Sequence, residues 1–145
     1  MLFVDGTNIK AINDLINHER GDEAIKGLAQ VLRDSLRPED IIARVGGDEF
    51  IVLMSGENRE APEQTSDQQI EAVEKRIAST TAAFLDIEQN QDIKAKGMQI
   101  SVGGAIWPAH ATLEDTRDLA EARMEIQKKA QHLEVGQYRP SQPSV

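Results

Sequence analysis

The sequence predicts an α+β fold: one antiparallel-rich central sheet covered by helices, in a ferredoxin-like arrangement. Three observations carry this. Short apolar runs of strand length alternate with stretches whose apolar residues recur at helical spacing. Two of the runs are joined by a turn too short to hold a helix, and the others are separated by whole helices.

Taken in order, Leu2-Phe3-Val4 is a buried-strand run that stops at Asp5-Gly6. From Gly21, apolar residues fall at Ile25, Leu28, Val31, Leu32 and Leu36, one face of a helix. Pro38 ends it, because proline lacks the amide hydrogen and its ring clashes with a continuing turn. Ile41 to Val45 and Phe50 to Met54 read as two strands of a hairpin, with Gly46-Gly47 expected to supply the positive φ angles of a tight turn. Residues 55–69 read as a polar connection. Ile70, Val73, Ile77 and Phe84 mark a second long helix, and Lys94 to Gly97 a basic turn. Met98 to Trp107 is strand-like, and Thr112 with Asp115 forms a capping pair for a helix to about His132. Val135 to Tyr138 is expected as a last edge strand, giving the order β-α-α-β-β-α-β-α-β. Residues 1–139 read as one domain and 140–145 as a flexible polar tail.

Composition narrows the function. Sixteen basic and 25 acidic residues give a net charge of −9, which disfavours general nucleic-acid binding and docking on anionic lipid. There is no cysteine, hence no disulfide, thiolate metal site or thiol nucleophile. No apolar run approaches membrane-span length, and Met1-Leu2-Phe3-Val4 lacks the basic flank of a signal peptide. A soluble cytoplasmic domain is the expectation.

The most informative segment is Arg44-Val45-Gly46-Gly47-Asp48-Glu49-Phe50, two carboxylates at a glycine turn. Asp5 sits where the first strand ends, and if that strand pairs beside the hairpin, Asp5 and Asp48 converge. Two like charges about 4 Å apart cost on the order of 4 kcal/mol at an effective dielectric near 20. A divalent cation reverses that sign, and oxygen-only ligands favour Mg²⁺ or Mn²⁺. By itself the pentapeptide also has a plainer reading, an acidic, solvated hairpin.

Four linked blocks resemble the GGDEF family of diguanylate cyclases, which join two GTP into cyclic di-GMP. Gly46-Gly47-Asp48-Glu49-Phe50 matches the signature in full. The stretch Asp5-Gly6-Thr7-Asn8-Ile9-Lys10-Ala11-Ile12-Asn13-Asp14 is similar to the family's Asp-x-Asp-x-Phe-Lys-x-x-Asn-Asp. Asn17-His18-Glu19-Arg20-Gly21-Asp22 follows its Gly-His-x-x-Gly-Asp block. Arg37-Pro38-Glu39-Asp40, separated from Gly46 by five residues, has the spacing of its inhibitory Arg-x-x-Asp site.

The resemblance implies a nucleotidyl-cyclase-like core and a set of roles. Asp5, the Gly6 carbonyl and Asp48 would hold Mg²⁺ or Mn²⁺, while Asp48 assists deprotonation with Glu49 in support. Asn13 and Asp22 would read guanine: a carboxylate accepts from N1–H and the exocyclic amine, and an amide serves the acceptors. Backbone amides from Gly6 through Asn8 to Ile9, with Lys10 and Lys128, would hold phosphates, and Gly46 and Gly47 would leave room for the nucleotide. Arg37 and Asp40 would bind product. A homodimer, one GTP per protomer, is implied for catalysis.

Each residue also has a plainer reading: a helix end for Asn13, a helix-start acid for Asp22, solvated lysines for Lys10 and Lys128, a surface ion pair for Arg37 and Asp40.

The match departs at Thr7 for the second Asp, Ile9 for the aromatic, and Gln131-His132 for the Gly-Arg step after Lys128, and the chain begins at the first strand without the family's helical lead-in. These departures motivate an alternative, a catalytically weak or inactive module that senses cyclic di-GMP or GTP. A third reading is an acidic interaction domain that binds no nucleotide.

Overall fold

The computed structural model describes residues 1–54 and 65–137, with side chains as far as His132. Four antiparallel strands form one sheet: β1 (Leu2–Thr7), β2 (Ile41–Arg44), β3 (Glu49–Leu53) and β4 (Gln99–Gly104), in the order β2-β3-β1-β4. The first strand is therefore central, and it is buried along its whole length. That explains its unbroken apolar run, since both faces of β1 are covered.

One face carries the main core. Leu2, Val4, Phe50, Val52 and Val102 pack against α1 (Ile9–Leu15), α2 (His18–Ser35) and α3 (Ser66–Asp86) through Ile12, Leu28, Leu32 and Ile77, all with no measurable exposure. A single 3₁₀ turn, Glu88–Asn90, and the short α4 (Gln91–Ala95) close this layer with Ile93. The opposite face is covered by α5 (Leu113–Gln137), which buries Phe3, Ala105, Ala120 and Met124 in a second cluster.

The α+β class and the helix-covered antiparallel sheet are as expected, and several boundaries move. The second helix starts at His18, not Gly21, because Asn17 Oδ1 accepts from the Arg20 N–H at 2.8 Å and caps a polar first turn with no apolar stripe. Residues 66–69 are helical rather than connecting: Thr65 and Gln68 form a reciprocal capping box. Residues 55–64 lie outside the described residues. Lys94 and Ala95 belong to α4, and the turn reduces to Lys96 and Gly97, where φ is +69°. Thr112 and Asp115 do cap α5, with Asp115 N–H donating to Thr112 Oγ1 at 3.0 Å. Trp107, expected at the end of the strand-like run, lies beyond β4 and is 48% exposed.

The expected last strand is a correction. Residues 135–137 continue α5, and Tyr138 lies outside the described residues, as does the tail from 140. On the β4 side of the sheet, where α5 packs, α5 side chains already bond to the strand edge.

Candidate functional site

A carboxylate on a fully buried central strand needs compensation. Asp5, 4% exposed, meets Lys128 of α5, whose Nζ lies 2.8 Å from Oδ1. Apart from this ion pair, buried Asp5 Oδ1 has no partner. Burial pulls the Lys128 ammonium down, but the paired Asp5 and the nearby Glu125 and Asp48 outweigh it and hold its pKa above the ordinary lysine value.

Asp5 lies opposite Glu49 of β3, and the Gly6 N–H donates to the Asp48 carbonyl at 2.9 Å. The acids at 5 and 48 are thus brought together by the β1–β3 pairing. Burial raises the Asp48 carboxyl above its usual range, the negative Asp5 raises it further, and Lys128 and Arg44 offset part of that. Glu49 is raised by burial and then by Asp5, Asp48 and Glu121. The site carries more negative charge than its neighbours balance.

The hairpin turn differs from the expectation. Gly97 is the only described glycine with positive φ, so Gly46 and Gly47 do not make a mirror-image two-residue turn. The connection has four residues, Val45 to Asp48, closed by the Val45 N–H on the Glu49 carbonyl at 2.9 Å. Arg44 ties it off, donating through Nη2 to the Gly47 carbonyl at 2.7 Å. A longer loop reaches its closure without left-handed residues. A Cβ on Gly47 would face open space, whereas one on Gly46 would run into Glu49 Oε2.

A cavity of about 440 Å³ opens beside the acids, lined by Gly6, Asn8, Ile9, Lys10, Asp48 and Lys128 among the expected residues. Asn8 is the one described non-glycine residue at positive φ, 67°. Its Nδ2 donates to the Gly97 carbonyl at 2.7 Å, which holds a backbone conformation most side chains avoid. Ile9 belongs to the main core and also lines the cavity. Thr7, Asp14 and His132 also line it. Thr7 is 5% exposed and its Oγ1 has no hydrogen-bond partner.

Asn13 and Asp22 do not line this cavity. Asn13 packs against α2 where Gly21 permits: a Cβ there would lie 1.8 Å from Asn13 Oδ1. Asp22, the next residue, is exposed. The sequence reading missed the clamp beside them. Arg20 donates to Asp92 through Nε at 2.8 Å and Nη2 at 2.6 Å, reaches the Gln89 carbonyl at 2.7 Å, and pairs with Glu23. The Arg20 hydrogen bond holds the Asp92 carboxyl down at about 2. No local signal joins positions 20 and 92, which meet only once α2 and α4 pack.

Arg37 and Asp40 form the turn after α2. The Arg37 N–H donates to Asp40 Oδ2 at 3.0 Å, and the Asp40 N–H to the Arg37 carbonyl at 3.1 Å. They border a separate groove of about 690 Å³ between α2 and β2, with Lys26, Arg33 and Arg44 on its walls.

Among the described residues, no three His, Asp or Glu side chains cluster to hold a metal. Asp5 and Asp48 nevertheless fit a divalent cation in chemistry: two hard carboxylates in mutual repulsion, one with a buried oxygen whose charge only the Lys128 ammonium meets. Among the described residues, no helix is long and apolar enough to cross a membrane.

Comparisons with known proteins agree with this architecture. The chain is 30% identical over 129 residues to the diguanylate cyclase DosC of Escherichia coli K12, which covers 89% of this chain and 26% of DosC. It is 32% identical over 111 residues to the diguanylate cyclase TpbB of Pseudomonas aeruginosa PAO1, covering 77% of this chain and 23% of TpbB. It thus spans about a quarter of these relatives' length. Among solved structures, the GGDEF domain of TpbB from P. aeruginosa superposes with a TM-score of 0.66 at 27% identity, over 89% of this chain and 74% of that one. The GGDEF domain of DgcB from Caulobacter crescentus, solved with c-di-GMP, shares the fold at 22% identity, with a TM-score of 0.67 over 89% of this chain and 71% of that one. The family model for the diguanylate cyclase GGDEF domain matches residues 1–133, so the chain belongs to the GGDEF family.

Proposed function

We propose that this domain is a diguanylate cyclase, condensing two GTP into cyclic di-GMP with release of two pyrophosphates. One observation carries the reading: Asp5 and Asp48, far apart in sequence, are close enough for the charge of one to raise the carboxyl of the other, and Asp48 lines a cavity together with Lys128, the partner of Asp5. Asp5, Asp48 and the Gly6 carbonyl would hold Mg²⁺ or Mn²⁺. Bound there, the cation supplies Lewis acidity toward phosphoryl oxygens and a lower pKa for the attacking alcohol.

The chain's own residues do the rest. Lys10 and Lys128 neutralise the triphosphate, with the Asn8 and Ile9 backbone lining its path. Asp48 accepts the proton of the 3′ hydroxyl; its raised pKa makes it a better base than an ordinary carboxylate. Glu49 supports it by holding charge beside it. Asn13 and Asp22 read guanine beyond the cavity. Each protomer holds one GTP, so two protomers face each other; each 3′ oxygen attacks the partner nucleotide's α-phosphorus, and pyrophosphate leaves. Residues 1–139 act as one catalytic domain, with product at Arg37 and Asp40 restraining synthesis.

Incubating the protein with GTP and Mg²⁺ tests this. Cyclic di-GMP is expected, and Asp48→Ala should lower its formation by at least two orders of magnitude. No product at high protein concentration, or product unchanged by Asp48→Ala, rejects catalysis.

One observation favours a second reading, a cyclic di-GMP binding module: Lys128 is engaged with Asp5, and Gln131, where the family has glycine, is committed to β4. Calorimetric titration with cyclic di-GMP separates them, with loss of binding in Arg37→Ala and no turnover in wild type expected for the module.

A further inference from the structure

β4 is an edge strand, so alternate residues direct their N–H and C=O groups away from β1. On Ile100, Val102 and Gly104 these groups meet side chains of α5. Arg123 Nη1 donates to the Gly104 carbonyl at 2.5 Å, the Val102 N–H donates to Gln127 Oε1 at 2.5 Å, and Gln131 Nε2 donates to the Ile100 carbonyl at 3.1 Å. The spacing is commensurate. Four helical residues rise about 6.0 Å, and two strand residues span about 6.6 Å. Three arms therefore keep pace with the strand as helix and strand run in opposite directions.

This ladder sets the lengthwise register of α5 on the sheet, and Lys128 lies inside it. Ser101 is buried and stands opposite Asp5 in the β1–β4 pairing. Its hydroxyl donates to Gln131 Oε1 at 2.8 Å. Gln131 thus grips Ile100 and Ser101 at once, one turn beyond the lysine that meets Asp5. We infer that Gln131 is a positioning residue: by locking the end of α5 to β4, it holds the Lys128 ammonium over the Asp5 carboxylate.

The consequence for GTP rests on the proposed cyclase reading, but the positioning itself can be read without nucleotide. Trace acetylation of the folded protein, followed by mass spectrometry, reports each lysine amine. Lys128 should label several-fold more slowly than Lys75, whose side chain is 75% exposed. Asp5→Asn calibrates the loss of the ion pair. Gln131→Met keeps length and apolar bulk but makes neither bond, and should raise Lys128 labelling about fivefold with Lys75 unchanged. Gln131→Glu retains the acceptor for Ser101 and should give an intermediate rise; it also serves if the Met variant melts at low temperature. Lys128 as protected in both variants as in wild type overturns the proposal, as does an equal rise at Lys75. With GTP, Gln131→Met should raise KM several-fold with kcat within twofold, and add nothing to Lys128→Met; additive effects also overturn it. Wild-type protein that protects Lys128 but makes no cyclic product counts against the cyclase reading alone.

Discussion

Replacing Gly103 with alanine should detach α5 from the sheet. Gly103 pairs with Phe3 on the face beneath that helix. A Cβ built there lies 2.1 Å from the Ala120 carbonyl oxygen, 2.2 Å from the Met124 nitrogen and 2.9 Å from the Arg123 carbonyl carbon. All three are backbone atoms, so no side-chain rotation relieves the clash. Ordinary contact begins near 3.4 Å, so α5 must retreat by about 1 Å, loosening the cluster of Phe3, Ala105, Ala120 and Met124. Overpacking of this kind costs ~1–3 kcal/mol. With the second cluster opened, the upper end applies. For a chain of this size that is a drop of roughly 6–12 °C in Tm. Far-UV circular dichroism melts of wild type and Gly103→Ala read it directly. Gly47→Ala is the control: its Cβ meets nothing within 4 Å, and its stability should stay within about 0.5 kcal/mol of wild type. A Gly103→Ala melt within 2 °C of wild type would refute the packing argument.

Leu32→Ala, at a site with no exposure in the main core, should cost about 2–5 kcal/mol, read as a fall in the urea midpoint with an unchanged slope. The Arg20–Asp92 clamp makes a pH prediction. The folded carboxyl lies at about 2 against an ordinary 3.8, so its stabilisation is full above pH 4 and disappears as pH falls toward 2. The stability gap between wild type and Arg20→Ala should therefore close across that window in acid titrations followed by fluorescence of Trp107. Gly21→Ala would push Asn13 aside and should reduce discrimination of GTP from ATP in a competition assay, at little change in phosphate-dependent binding. In the cyclase assay, Arg37→Ala should relieve inhibition by added cyclic di-GMP without lowering the initial rate.

The legible parts of the sequence were those where one local signal has one physical cause. The Leu2-Phe3-Val4 run announced a strand covered on both faces, and Thr112 with Asp115 announced the start of α5. The linked acidic blocks pointed to Asp5 and Asp48, and the pairing of Gly6 with Asp48 brings them together. Where two causes compete, the reading slipped. Gly46-Gly47 suggested left-handed turn residues, but a four-residue connection held by Arg44 needs none. Val135 looked like strand, but nothing local says that the β4 edge is already bonded by Gln127 and Gln131. His18 to Arg20 lacked an apolar stripe because a polar cap begins that helix. Arg20 with Asp92, and Gln131 with Ser101, were out of reach because each pair exists only after distant elements pack.

The middle position of β1 has a consequence for how the molecule is made. Of the four strands of this sheet, the one made first gains its neighbour β3 about forty residues later, but waits until residue 99 for β4 on its other side. Lys128 emerges later still to meet Asp5. Until then a growing chain carries an unpaired hydrogen-bonding margin on a strand that the finished fold buries along its whole length, and a buried-to-be acid without its cation. Translation that pauses between positions 54 and 99 should therefore yield nascent chains that depend heavily on chaperones, and no shortened product ending before 128 can assemble the pocket.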